Sequence, residues 1–287
     1  MSSLRELFLR GRTLLGRLPQ ADPALESRLL LRKAAGISES DALMNPERLI
    51  PAAAERRFFD LVEKRRSRVP LAYLTGEREF WSMAFAVFPG VLIPRPETEL
   101  IVETVIAMSS GRRERIVDIG TGSGNIAVAL AGELPNARIV ATDISRRALK
   151  AARLNAGRRD ISSIAFVEGN ALAALEGMVR RGSVDFIVSN PPYITVSEWR
   201  TLEPEVRGHE PRRALVAGPT GLEFIRRLVD GSRSYLKPGG HLVFEIGAGQ
   251  ADEVVSLFKG GWTDIRVGED LRGIPRVVSA GKARSAA

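Results

Sequence analysis

Arg115-Ile-Val-Asp-Ile-Gly-Thr-Gly-Ser-Gly124 decides the fold. Its first half is apolar and β-branched over the length of a strand, and its second half is a glycine-rich turn ahead of a helical window at 125–133. Gly120, Gly122 and Gly124 let the backbone approach a ligand closely, and the N-terminus of the next helix offers unpaired amides. A tight strand-to-helix connection with no ligand is the plain alternative. The spacing is G-x-G-x-G, whereas dinucleotide sites use G-x-G-x-x-G. Asp118, two residues before the first glycine, adds a carboxylate suited to the cationic part of a ligand rather than to a pyrophosphate.

Downstream, Ile- and Val-rich strand windows at 138–142, 164–168, 184–189 and 241–246 alternate with helical windows at 146–156, 221–236 and 250–259. A further helical window, 97–109, precedes the first strand. This alternation predicts a mostly parallel sheet with helices on both faces, an α/β fold of the Rossmann-like kind. Right-handed crossovers then gather the loops after the strands along one edge, where ligands bind. At that edge Asp143 can accept both hydrogen bonds of a ribose diol, with Ser145 available to cap the following helix. Asn170, beyond the third strand, suits an adenine edge or a simple turn. These residues describe a pocket for an adenosine that lacks a polyphosphate and carries positive charge nearby, and S-adenosylmethionine fits it.

The strand at 184–189 runs into Asn190-Pro191-Pro192-Tyr193. Two prolines remove two backbone donors and stiffen the chain, so the loop offers rigid carbonyl acceptors. Asn190 adds a side-chain acceptor, and Tyr193 adds a flat ring for stacking. Such a loop suits an NH2 group on a planar sp² carbon, either a carboxamide or an adenine amine. An amide nitrogen is a poor nucleophile because its lone pair is delocalised. Hydrogen bonds from its two N–H groups, to Asn190 and to the Pro191 carbonyl, would orient it and favour charge building on nitrogen. The proton can leave after transfer, so no strong base is required. A merely rigid turn is the alternative, and its place beside the glycine turn argues against that.

Ahead of this region, residues 1–75 read as a small helical bundle. Leu4, Leu7, Phe8, Leu14 and Leu15 share one side of a first helix, and 23–35 follows between Pro23 and Gly36. The third helix, 51–66, opens at Pro51 and buries Phe58, Phe59, Leu61 and Val62. Residues 76–96 read as a linker bearing a β-hairpin, from strand-like runs at 78–81 and 83–87 and a Pro89-Gly90 turn. The expected organisation is therefore 1–75 bundle, 76–96 hairpin linker and 97–287 α/β domain, with the Gly/Ala/Ser-rich end at 280–287 frayed.

Composition narrows the function. With 44% apolar and 26% charged residues the chain is globular, and it has no apolar run long enough to span a bilayer. Arg5, Arg10 and Arg12 interrupt the apolar N-terminal stretch, so neither a secretion signal nor a membrane partner is expected, and the cytoplasm is the expected location. Absence of cysteine and the presence of only two histidines, His209 and His241, exclude disulfides, thiolate chemistry and a histidine-rich metal centre. The net charge of +8 is spread evenly, with 15 basic and 11 acidic residues in 1–80. Its densest basic run, 64–68, reads as a solvated helix end.

The chain resembles the release factor glutamine methyltransferase family, class I methyltransferases that use S-adenosylmethionine. The resemblance spans almost the whole chain and rests on Pro70-Leu-Ala-Tyr-Leu-Thr-Gly76, Arg78-Glu-Phe-Trp81, Leu92-Ile-Pro-Arg-Pro-Glu-Thr98, 118–124, 190–193, and Val206-Arg-Gly-His-Glu-Pro211 followed by Ala214-Leu215. It implies methylation of the side-chain N5 of the glutamine in the Gly-Gly-Gln motif of peptide chain release factors, with S-adenosylhomocysteine as product and the N-terminal bundle holding the release factor. By that resemblance Gly120, Thr121, Gly122, Ser123, Gly124, Asp143 and Asn190 contact the cofactor, while Asn190, Pro191, Pro192 and Tyr193 bind the glutamine. Asn190, Pro191 and Tyr193 are the residues expected to carry catalysis. Asn170 stands where the family often has an acidic residue, which keeps an acceptor oxygen and loses the charge. Arg95 and Glu97 are placed at the pocket mouth. No metal and no nucleic-acid substrate are expected, and a monomer is. Two other functions fit less well. An adenine-N6 methyltransferase would need a basic, aromatic-bearing surface, and aromatics are only 6% here. A non-catalytic release-factor or ribosome adapter would have no use for the glycine turn and Asn190.

Overall fold

The computed structural model describes residues 1–18 and 22–284, in two compact units. The first unit comprises Met1–Glu77 together with Glu203–His209. Its helices are α1 (Leu4–Leu15), α2 (Pro23–Ala35), α3 (Glu39–Met44), α4 (Ala52–Arg66) and α5 (Leu71–Thr75). Ser3 and Glu6 cap α1 reciprocally, each side chain accepting the other's backbone amide. Asp22 caps α2, and Gly36 ends it in the left-handed conformation. Leu7, Leu15, Leu30, Ile50, Phe58 and Val62 are fully buried between these helices. Gly11 permits the close approach of α1, because a Cβ there would lie 2.4 Å from Phe58 Cζ.

The basic run at 64–68 is not solvated throughout. Arg65 follows Phe58 and Val62 on the inward side of α4 and is only 4% exposed. Its guanidinium donates to both carboxylate oxygens of Glu26, at 2.7 and 3.0 Å, and pairs with Glu205 at 2.7 Å. Both acids belong to the first unit. Arg65→Ala leaves buried Glu26 without its cation and, among the described residues, Glu205 with Arg68 alone, at 3.7 Å. It is expected to cost the unit about 3–5 kcal/mol, read by urea unfolding.

The second unit begins at Arg78, within a hairpin of β1 (Glu77–Phe80) and β2 (Met83–Ala86). Trp81 and Ser82 both take φ of +53°, the geometry of a two-residue hairpin turn. The sequence reading made this hairpin a linker. Phe80 and Phe85 instead meet edge-to-face in the second unit's core, so the hairpin is part of that unit. After a 3-10 turn at Pro96–Thr98 come α6 (Glu99–Met108), β3 (Arg115–Ile119), α7 (Asn125–Glu133), β4 (Arg138–Asp143), α8 (Arg146–Gly157), β5 (Ile164–Glu168) and β6 (Val184–Ser189). Next are β7 (Ile194–Thr195), α9 (Val196–Thr201), α10 (Pro204–His209, within the first unit), α11 (Arg212–Leu215) and β8 (Val216–Gly218). The chain ends with α12 (Glu223–Tyr235), β9 (Leu236–Glu245), α13 (Ala251–Val255), β10 (Trp262–Glu269) and β11 (Pro275–Lys282).

The seven-stranded sheet runs β10-β11-β9-β6-β3-β4-β5. It is parallel from β9 to β5, and β11 is antiparallel to both of its neighbours. Alternate residues face opposite layers. Ile116, Phe186 and Val188 pack with α6 and α7, while Val117, Ile119 and Ile187 pack with α12. The last two strands depart from the sequence reading. β10 is a largely exposed edge strand with no apolar run to betray it. Ala280 and Gly281, read as part of a frayed end, pair in β11, where Ala280 is fully buried. The rest of that expectation, 285–287, lies outside the described residues. The helix expected at 250–259 stops at Val255. Among the described residues no helix is long and apolar enough to cross a membrane.

Candidate active site

The chain winds outward from β3 through β4 to β5, then returns to place β6 on the other side of β3. The carboxyl ends of these strands therefore flank a topological switch point, where an α/β sheet leaves a crevice. A cavity of about 440 Å³ lies there. Gly120, Gly122, Asp143, Asn170, Asn190, Pro191 and Pro192 border it, and Leu92, Arg213, Phe224 and Arg227 close other parts of the wall.

Positive φ, +74° at Gly120 and +82° at Gly124, makes glycine the favoured residue at both ends of the turn. The two differ in what surrounds them. A Cβ on Gly120 would meet nothing within 4 Å, whereas one on Gly124 would lie 2.9 Å from the Ala152 Cβ. Gly120 thus keeps space open beside the cavity, and Gly124 lets the start of α7 close on α8. Asn155, fully buried on α8, holds the turn from behind. Its Nδ2 donates to the Ser123 and Ala86 carbonyls at 2.8 and 3.1 Å, and its Oδ1 accepts from the Ala86 amide at 2.7 Å.

Asp143 both faces the cavity and shapes it. Its Oδ2 accepts from the Gly122 amide at 2.9 Å and its Oδ1 from the Ser145 amide at 2.8 Å, while Ser145 Oγ caps α8 by accepting from Ala148. Burial, above all, raises the Asp143 pKa. Each carboxylate oxygen keeps a lone pair for a ligand hydroxyl. Asn170 borders the cavity with its side chain engaged by no described residue.

Asp118 does not border the cavity. It is fully buried behind the turn, its Oδ2 accepting from the Thr121 hydroxyl at 2.6 Å and its Oδ1 without a hydrogen-bond partner. Burial pushes its pKa up to about 7; Thr121 opposes the rise and the Asp143 charge adds to it. The folded state thus holds this proton more tightly than the unfolded chain does. Stability from this group is expected to fall by on the order of 4 kcal/mol as pH rises from about 4 to about 7, and to level off above. Asp118→Asn removes the titration. Urea unfolding of both proteins at pH 4.5 and pH 8 should show the variant gaining on the wild type at the higher pH.

The Asn190 loop is tied from below by a buried carboxylate. Asn190 Nδ2 donates to Thr98 Oγ1 at 2.9 Å, and the Thr98 hydroxyl donates to Glu245 Oε2 at 2.5 Å. The Tyr193 hydroxyl donates to Glu245 Oε1 at 3.0 Å, and the Tyr193 carbonyl accepts from Gln250 Nε2 at 3.0 Å. Burial raises the pKa of both Glu245 and Tyr193. No described residue donates to the Pro191 carbonyl. Arg95 and Glu97, expected at the pocket mouth, do not border the cavity; Arg95 pairs with buried Glu210 at 2.5 Å, and Glu210 also accepts from the Ile93 amide, which joins the 92–98 stretch to the segment ahead of α11.

Of the residues singled out in the sequence, Gly120, Gly122, Asp143, Asn170, Asn190, Pro191 and Pro192 meet at one cavity. Thr121, Ser123, Gly124 and the Tyr193 ring stand behind its wall with Asp118, and Thr121 and Ser123 are buried in local hydrogen bonds. Asn155, Glu245 and Gln250 are not singled out by the sequence, and Thr98 enters it only as the last residue of the 92–98 motif, with no role attached. Glu245 left one signal, an acid closing the apolar run of β9. Among the described residues no cluster of His, Asp or Glu could hold a metal ion.

This arrangement has relatives. Residues 96–202 match a family described as the methyltransferase small domain, and residues 6–76 match the PrmC N-terminal domain. A release factor glutamine methyltransferase of Nitratidesulfovibrio vulgaris is 40% identical over 262 residues, covering 90% of this chain and 88% of the relative. Another, from Chlorobaculum tepidum, is 40% identical over 265 residues, covering 90% of each. Among solved structures, a methyltransferase from Pyrococcus furiosus aligns over 77% of this chain and 99% of its own, with a TM-score of 0.54 at 18% identity, a likeness of fold alone.

Proposed function

Because the chain belongs to the release factor glutamine methyltransferase family, we propose that it transfers a methyl group from S-adenosylmethionine to the side-chain N5 of the glutamine in the Gly-Gly-Gln motif of peptide chain release factors. The residues present fit the donor. Gly120 and Gly122 leave room for it, Asp143 keeps lone pairs for ribose hydroxyls, and Asn170 has a free amide for the adenine. When bound, the donor supplies a methyl carbon activated by its sulfonium.

The observation that carries the reading is the orientation of Asn190. With Nδ2 committed to Thr98, its Oδ1 and the Pro191 carbonyl remain as two acceptors at the cavity. A primary carboxamide has two N–H groups to match them. Gripped at both, its nitrogen is fixed in place and stabilised as charge develops on it. Two prolines hold these acceptors rigid, so little reorganisation is needed. The helical bundle is the part we assign to holding the release factor, in the cytoplasm where such factors act.

The test uses the full-length protein with isotopically labelled donor, a release factor and its Gln→Ala variant in the Gly-Gly-Gln motif, and duplex DNA and RNA as further acceptors. Label on the wild-type release factor alone is expected. Label that persists on the variant, or that appears on nucleic acid instead, defeats the assignment.

A further inference from the structure

We infer that Glu245 is a positioning residue for methyl transfer, acting through Thr98 to fix which end of the Asn190 amide faces the substrate. The inference rests on the reading of Asn190 as the acceptor for the substrate N–H.

An asparagine amide is nearly symmetric in shape, and nothing in the covalent chain prevents it from turning its NH2 toward the cavity. Turned that way it would set a donor against the N–H groups of a carboxamide, and the grip would become a repulsion. The hydrogen-bond chain beneath the loop forbids this. Burial favours the neutral acid at Glu245, but the two hydroxyls that donate to it, Thr98 at 2.5 Å and Tyr193 at 3.0 Å, favour the carboxylate, and in that form both of its oxygens only accept. Thr98 has one proton and has given it away, so its oxygen can only accept from Asn190, and Asn190 must present Nδ2 to it, at 2.9 Å. The Oδ1 atom is thereby left for the cavity. Three residues from distant parts of the chain thus pass one polarity from a buried charge to the reacting group. Glu245 is only 2% exposed, and burying a charge there costs free energy that packing alone does not repay. The same carboxylate also pins the Tyr193 hydroxyl, at the far end of the four-residue loop.

Three variants separate this role from a structural one. Glu245→Gln keeps the shape but can donate from one end, which releases the polarity of Thr98. Thr98→Val removes the hydroxyl at nearly constant volume, and Thr98→Ser restores it. With a release factor as substrate, Glu245→Gln and Thr98→Val are expected to lose about 10–100-fold in kcat. Donor affinity by calorimetry should stay close to wild type, Thr98→Val should melt a few degrees lower because buried Glu245 loses a donor, and Thr98→Ser should recover most of the lost kcat. Undiminished kcat in both altered variants overturns the inference, as does Thr98→Ser falling as far as Thr98→Val. A melting temperature that falls in step with kcat across all three also overturns it, in favour of a structural role. A wild-type protein that places no label on the glutamine fails earlier, at the reading of the loop, and takes the inference with it.

Discussion

Asn190→Ala is expected to lower turnover about 10²–10³-fold while donor affinity stays within about threefold of wild type. The side chain contributes one of two acceptors for the substrate nitrogen, and it does so with an orientation set by Thr98 rather than by the donor. Its removal leaves the Pro191 carbonyl as the one remaining grip, so the nitrogen is free to turn and its developing charge loses a partner. The glycine turn and Asp143 are held by other bonds, to Asn155 and to the Gly122 and Ser145 amides, and should not move. Asn190→Asp is informative beside it. A carboxylate offers acceptors but no N–H for Thr98, and it adds a negative charge near buried Glu245, so activity should not return. Steady-state kinetics with a release factor, together with calorimetric titration of the donor, measure both quantities. Normal turnover in Asn190→Ala would mean that the loop does not grip the substrate.

Asp143→Ala should act in the opposite sense, with donor binding about 100-fold weaker or worse and a fall in melting temperature. Its carboxylate holds the Gly122 amide on one oxygen and the Ser145 amide on the other, so the residue shapes the turn as well as meeting the ribose. Hydrogen bonds to a charged group contribute about 1.5–3 kcal/mol each, which is the scale of stability at risk. Asp143→Asn keeps one acceptor oxygen and should fall between wild type and alanine in both measurements. Affinity equal to wild type in the alanine variant would remove Asp143 from the site.

The parts of the fold that advertised themselves were those with a strong period or a constrained backbone. Strands buried on both faces read as apolar runs, and the glycine turn and the double proline stand out because few other conformations accept them. β10 went unseen because an exposed edge strand need not be apolar, and β11 because its small residues, Ser279, Ala280 and Gly281, look like the composition of a tail. The hairpin was visible but not its address, since Phe80 and Phe85 bury against helices far away in sequence. Within the site, residues at the ends of strands were legible because topology alone brings them together. Glu245 and Asn155 were not, and Thr98 stood in a quoted motif without its role, as each matters through partners on other elements. Arg65 is the same lesson in reverse, one member of a basic run that the α4 periodicity turns inward to two acids.

Glu205 has a consequence for how such proteins can be recombined. The first unit is not a detachable N-terminal module, because a stretch from the middle of the catalytic half of the sequence completes it. Grafting the first 77 residues of one relative onto another would leave position 65 with Glu26 as its one matched acid, and the host's position 205 facing an arginine it did not evolve beside, unless the 203–209 segment were exchanged as well. Positions 65 and 205 are therefore bound to a common inheritance, and a lineage that changes one should be found to have changed the other.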